Sequence, residues 1–388
     1  MKNKIHIHIS LLSMALILFF MNACDQQKYH LHGKIEGIES GTIILYVKTT
    51  AQYRTDTATI NKNEFTFTGK VTEPTEAYFI INGQLTNVFY LEPSKMSIDL
   101  IKDKFNKLKI TGSKTQDEKF VLDKQLDLIR EHKEDLKNQY RIINNSIKNT
   151  TDKTKLKLFE KELSDINYRV SSIDNQIDSI QLHSIKSHPN SFLSAYLLWM
   201  FNVNEVISID SLKKLFNNLN LRIKNSIPGK IIQNDILKKE RNIIGSEAPN
   251  FSITNRAGEV SSLSESKGKC VIIDVWASWC IPCRRSFPHL QSLFEKYHSS
   301  GLEILAISVD QNKNNWEQAI KEDHIENWQH SIIGISQPRE TDFYKNYYFQ
   351  AIPHLFLIDK NGKIAGNWVG TSVENDQELE KALKDIFR

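Results

Sequence analysis

Between Tyr29 and Ile101 apolar and polar residues alternate in short runs, the period-two pattern of half-buried strands. Strands are predicted at Tyr29 to Ile35, Thr42 to Val47, Glu64 to Gly69, Ala77 to Ile81, Asn87 to Leu91 and Met96 to Ile101. Glu39-Ser40-Gly41, Asn61-Lys62-Asn63 and Asn82-Gly83 supply turns. A small all-β domain follows. From about Lys114 the period becomes helical. Leu122, Leu126, Ile129, Leu136, Tyr140, Ile143 and Ile147 recur at steps of three and four with Lys133 interrupting, and Phe159, Leu163, Ile166, Val170, Ile173, Ile177 and Ile180 repeat the pattern. Two long helices joined near Asn149 to Asp152 would make an αα-hairpin with a charged, solvated outer face. The alternative is a seam shared between two chains, and the pattern expresses no preference. Phe192 to Phe201, Ser211 to Leu219 and Lys230 to Arg241 predict three shorter helices.

Past Gly245 strands and helices alternate. Val271 to Trp276 is an unbroken apolar and β-branched run, as in a strand buried on both faces at the centre of an α/β sheet. Helical spacing resumes from Pro282 to Phe287. Leu302 to Val309 then reads as a second buried strand, which makes a right-handed βαβ unit. A helix around Asn315 to Glu322 follows, with a further segment near Ser331 to Ile335. Leu355 to Ile358 and Ile364 to Trp368 would pair antiparallel about Asp359-Lys360-Asn361-Gly362, and Gln377 to Phe387 would close the module. The fold class is multidomain α+β, with an all-β domain at 24–112, a helical region at 113–243 and an α/β/α module at 244–388.

Residues 1–23 stand apart. Lys2 and Lys4 precede an apolar stretch from Leu11 to Met21, too short to span a bilayer comfortably, since a transmembrane helix needs about 20 apolar residues. This outlines a secretory signal. Cys24 directly after it resembles the lipidation site of a bacterial lipoprotein, although Met21 and Asn22 depart from the usual box. Ordinary cleavage leaving Cys24 as a spare thiol, or an uncleaved anchor, are the alternatives. The 388 residues give room for two or three domains. The formal charge of +4 falls to +2 without Lys2 and Lys4, so nothing points to nucleic acid as a partner. Four cysteines in an exported chain are too few for a disulfide framework, which leaves the CxxC pair for exchange chemistry.

That chemistry centres on Cys280-Ile281-Pro282-Cys283. The buried strand delivers the pair to a helix start, where Pro282 is tolerated because first-turn N–H groups have no intrahelical partner. Free N–H groups and the helix dipole lower the pKa of a thiol at that end. Cys280 is therefore expected to attack, and Cys283, one turn in and more buried, to resolve the mixed disulfide. A zinc site would need a second ligand pair. Cys24 and Cys270 are not spaced as one, so no metal is expected. Cys270, at the start of the buried strand, is expected to act as a small hydrophobe. Asp274 interrupts the same apolar strand. Burial would raise its pKa and suit it to take the proton of Cys283; the alternative is a carboxylate turned to solvent at the strand end.

Trp276-Ala277-Ser278-Trp279-Cys280-Ile281-Pro282-Cys283, the entry segment Gly245 to Phe251 and Ala351-Ile352-Pro353-His354 through Asp359 and Asn361-Gly362 resemble the membrane-tethered TlpA/ResA group of thioredoxin-fold thiol:disulfide oxidoreductases. The resemblance covers about Gly245 to the C-terminus. It implies a thioredoxin-like module with no cofactor, a cis-Pro353 facing the cysteines, and Asp274 at the position of the buried thioredoxin acid. It also implies a substrate groove walled by Trp279, Ile281, Pro282 and Ile352. Trp276 belongs to the groove or to the core. His354, where the family usually has Thr, is either a thiolate partner or an exposed bystander. The ResA pattern places a Glu three residues after the second cysteine, where this chain has Ser286. The N-terminal β domain resembles one that often precedes such modules in exported lipoproteins.

The function implied is exchange of disulfides with proteins on the periplasmic side of a bacterial envelope. The chain would be held to the membrane by lipid on Cys24 and supplied by a membrane thiol-electron donor. Proline before the second cysteine resembles the reducing members. The alternatives are a thiol peroxidase, against which Ala277-Ser278-Trp279 stands in place of the Thr or Ser and Pro that precede a peroxidatic cysteine, and a ligand-binding surface lipoprotein with an accessory redox module.

Overall fold

The computed structural model describes residues 27–49, 53–335 and 341–388. The signal segment and Cys24 lie outside the described residues. Two compact units are present. Of the described residues, one unit takes in those up to Met200 together with Leu215–Gly229, and the other those in Phe201–Lys214 and from Lys230 onward.

In the first unit β1 (Lys28–Glu36), β2 (Ser40–Lys48), β3 (Tyr53–Asn61), β4 (Glu64–Lys70), β5 (Thr75–Ile81), β6 (Gln84–Leu85), β7 (Phe89–Leu91), β8 (Lys95–Ile101) and β9 (Lys109–Thr111) form one sheet among the described residues. Its order is β6-β5-β2-β3-β4-β1-β8-β9, with β7 paired to β5. Every second residue turns inward, so Leu31, Ile43, Leu45, Phe65, Phe67, Phe79 and Ile98 meet in one buried cluster. The periodicity missed β3. In Tyr-Arg-Thr-Asp-Thr-Ala-Thr-Ile-Asn only Ile60 is buried. Its β-branched threonines and a nine-residue ladder with β2 hold it, rather than an apolar face.

The long helices are α1 (Lys114–Lys148) and α2 (Lys153–Ser187). Ser113 caps the first by accepting from the Gln116 N–H at 3.1 Å, and Asp152 caps the second by accepting from the Thr154 N–H at 2.9 Å. Leu136, Ile166 and Ile173 are buried between them, with Ile129, Tyr140, Ile143, Val170 and Ile177 packed alongside, so the seam closes within one chain. Lys133 is tolerated there because it pairs with Asp174 across the hairpin. A pair this open to solvent contributes only about 0.2–1 kcal/mol, so it accommodates the lysine rather than driving the packing. The shorter helices are α3 (Phe192–Val203), α4 (Ile209–Asn218), α5 (Leu221–Lys224) and α6 (Ile227–Arg241).

In the second unit β10 (Ser252–Thr254) and β11 (Val260–Ser262) form a small ribbon. Then come β12 (Cys270–Trp276), α7 (Ile281–Tyr297), β13 (Leu302–Ser308), α8 (Lys313–Glu322), β14 (Gln329–Ile332), α9 (Asp342–Asn346), β15 (His354–Ile358), β16 (Ile364–Val369) and α10 (Val373–Ile386). The main sheet runs β14-β13-β12-β15-β16. β14 pairs in parallel with β13, so α8 is the crossover of a second βαβ unit and the segment near Ser331 is an edge strand. β12 sits at the centre, every residue buried. Its Cys270, Ile272 and Trp276 face one cluster and its Val271, Ile273 and Val275 the other, as a strand covered on both faces requires.

The residues of α6 that fall in this unit pack on the segment leading towards Pro353. Lys238 lies over the Tyr344 ring at 4.4 Å and Lys239 over Tyr348 at 4.3 Å. The Tyr348 N–H donates to Asn242 at 2.6 Å, and the Tyr348 hydroxyl to the Asn202 carbonyl at 3.2 Å. Cation–π contacts contribute about 0.5–2 kcal/mol each. These residues of α6 thus belong to the unit that carries the redox pair.

Candidate active site

β12 ends at Trp276, and four residues later Cys280 takes the N-cap of α7. The Ala277 carbonyl accepts from the Cys280 N–H at 3.0 Å, which closes the turn. Cys280 and Cys283 are joined as a disulfide. The Cys283 N–H points at the Cys280 Sγ at 3.2 Å. In the reduced chain that N–H and the end of a 17-residue helix face a Cys280 thiolate, the arrangement that lowers a thiol's pKa. Cys280 is 4% exposed and Cys283 0%, so Cys280 is the more accessible of the two.

Asp274 is fully buried, and neither carboxylate oxygen has a hydrogen-bond partner among the described residues. It shares a face of β12 with Ile272 and Trp276 and lies opposite Leu355 and Ala306, all on the sheet face covered by Cys280, Cys283 and Phe287. Desolvation with no compensating donor pushes its pKa up to about 7. A carboxyl poised there loses and regains a proton near neutrality, as a general base requires.

Trp279 and Ile281 stand out, 67% and 63% exposed, and Pro282 is exposed beside them. Ile352 packs against the cluster that holds both cysteines, and the Ile352–Pro353 peptide bond is cis. Trp276 is core, edge-on to Phe287 at 5.1 Å. His354 is neither a thiolate partner nor an exposed bystander. It is buried on the opposite face of the sheet, stacked on Phe356, and hydrogen-bonded through Nε2 to Asn367 at 2.7 Å. Burial pushes its pKa down to about 4, so it stays neutral. The Ser286 hydroxyl donates to the Cys283 carbonyl at 2.7 Å and supplies no acid. Cys270 is a free thiol whose pKa burial pushes up to about 12, which leaves it inert.

Residues 268–364 match a family model described as thioredoxin-like, and residues 29–119 one described as a domain of unknown function, DUF4369. The thiol-disulfide oxidoreductase ResA of Bacillus thuringiensis subsp. konkukian is 31% identical over 156 residues, which are 40% of this chain and 86% of the relative. The chain belongs to the ResA-like thiol-disulfide oxidoreductases. ResA of Geobacillus kaustophilus is likewise 31% identical, over 40% of this chain and 85% of that protein. The solved thioredoxin domain of a Bacteroides vulgatus thiol-disulfide oxidoreductase is 28% identical, covers 36% of this chain and 98% of that chain, and has a TM-score of 0.33.

One residue of this ResA-like site escaped the sequence reading. Asp310, just beyond β13, is 2% exposed and accepts from the Ser278 N–H at 2.8 Å, the Ser278 hydroxyl at 2.7 Å and the Ser308 hydroxyl at 2.7 Å. Its signal was Ser308-Val309-Asp310, a polar pair at the carboxyl end of a buried strand, where open α/β sheets carry their sites. Among the described residues no cluster of three His, Cys, Asp or Glu could hold a metal.

Proposed function

We propose that the chain is an exported reductase of protein disulfides. The observation that carries this reading is the pairing of a cysteine at the N-cap of α7 with a buried, unpartnered carboxylate on the same face of the sheet. The Cys280 thiolate attacks one sulfur of a substrate disulfide and expels the other as a thiolate. Cys283 passes its proton to Asp274, attacks the Cys280 Sγ and expels the second substrate thiolate. Two electrons pass to the substrate and the Cys280–Cys283 disulfide is formed. Pro353 and Ile352 present the substrate backbone opposite Trp279, Ile281 and Pro282. A membrane thiol donor would restore the dithiol.

The reducing direction predicts a redox equilibrium close to that of thioredoxin, about −270 mV, rather than the about −120 mV of a strong oxidant. Equilibration with glutathione and quantitation of the Cys280–Cys283 disulfide measures it. A value near the oxidising end would reassign the chain as a disulfide donor. The leader and Cys24 add a periplasmic location and lipid attachment. One acyl chain anchors only marginally, so several are expected. Mass spectrometry of the N-terminus should then find Cys24 acylated, and an unmodified mature terminus would remove the anchor. In this scheme the β domain, 24–112, acts as a spacer or packing platform.

A further inference from the structure

We infer that Asp310 is a positioning residue for Cys280, an inference that rests on the attacking role given to that cysteine above. The three hydrogen bonds it accepts tie the loop after β12 to the end of β13, and they do so from a buried carboxylate. Bonds to a charged acceptor are about twice as strong as neutral ones, and a buried donor left unmatched carries its full desolvation cost. Ser278 is two residues before Cys280, so both of its bonds act on the turn that seats the sulfur at the helix end. The backbone beneath is equally constrained. The Asp310 N–H donates to the Ser308 hydroxyl at 2.9 Å, and the Val309 N–H to the Trp276 carbonyl at 3.0 Å. A Cβ on Gly334 would lie 2.2 Å from the Asp310 carbonyl oxygen and 2.3 Å from that of Val309, so a glycine is what lets the loop close there.

The clamp has a chemical consequence with a definite sign. Seating Cys280 where the helix end and the Cys283 N–H meet it stabilises the thiolate, and a stabilised thiolate makes the disulfide easier to reduce. Loss of the clamp moves the equilibrium towards the disulfide. The negative charge of Asp310 acts the other way, since a nearby carboxylate disfavours a thiolate. Asp310→Asn removes both at once, whereas Ser278→Ala loosens the clamp with the charge in place, so the two variants together separate positioning from charge.

The test is redox equilibration of the full chain with dithiothreitol, together with peptide-resolved alkylation of the reduced chain at pH 7, for wild type, Asp310→Asn and Ser278→Ala. Positioning predicts that Asp310→Asn favours the disulfide by about tenfold, near 30 mV, and slows Cys280 alkylation severalfold. Ser278→Ala, which keeps the N–H bond and is the milder lesion, moves both readouts the same way by less. An unchanged equilibrium beside a lowered melting temperature would make Asp310 merely structural and overturn the inference, and so would a shift towards the dithiol, which would mean that its charge dominates. If wild-type Cys283 reacts faster than Cys280, the assignment of the attacking thiol itself has failed, an outcome visible before any variant is made.

Discussion

Asp274→Asn slows resolution of the mixed disulfide by about 100-fold at neutral pH, the lower range of what a general base contributes. Attack by Cys280 changes far less, because its activation comes from the end of α7 and the Cys283 N–H. The difference follows from burial. Asp274 has no partner for either oxygen and its pKa is raised to about 7, so near neutrality a substantial fraction is ionised and able to take a proton. In wild type, resolution accelerates as pH rises through about 7. In Asp274→Asn that step disappears, and the rate follows only the unaided ionisation of Cys283. The gap narrows as pH approaches the ~8.5 of an ordinary thiol. His354 is no substitute acceptor, being a weak base with its pKa pushed down to about 4 and lying on the other face of the sheet. Single-turnover reduction of a peptide disulfide across a pH series measures both steps, and equal resolution rates at pH 7 would remove Asp274 from the mechanism.

The same raised pKa has a stability counterpart. A group that holds its proton more tightly when folded than when unfolded contributes stability that is present at low pH and lost as pH rises from about 4 through about 7. Asp274→Asn carries no such loss. Its melting temperature falls less than that of wild type between pH 5 and pH 8.

Much of this was legible because the signals were local and periodic. An apolar run with one acid in it is a strand with both faces covered, and β12 is that. The alternation of Leu31, Ile43 and Phe79 and the three-four steps of Ile166 and Ile173 reported burial directly. What escaped was held by neighbours rather than by its own pattern. β3 is a ladder of threonines secured by β2, and its lone buried Ile60 could not announce a strand. β14 is too short for periodicity and exists through its pairing with β13. His354 could not be placed without knowing that Val275 lies opposite it, which fixes the face it occupies. Asp310 is 32 residues from the serine it clamps, and only the parallel pairing of β12 with β13 brings them together.

The Cys283→Ala chain halts after the first chemical step, and that arrest tests the central claim. Without a resolving thiol the substrate stays bonded to the Cys280 Sγ. Turnover with a disulfide-bonded protein stops, while one equivalent of substrate thiol is still released. Cys270 does not replace the missing sulfur, because it is buried at the far end of β12 with its pKa pushed up to about 12. The measurement is non-reducing mass spectrometry of the reduced full-length variant after incubation with such a substrate, with the cross-linked peptide sequenced. A stoichiometric mixed disulfide carried by Cys280 is expected; no adduct at Cys280, or turnover that survives the loss of Cys283, would rule out Cys280 attack followed by Cys283 resolution.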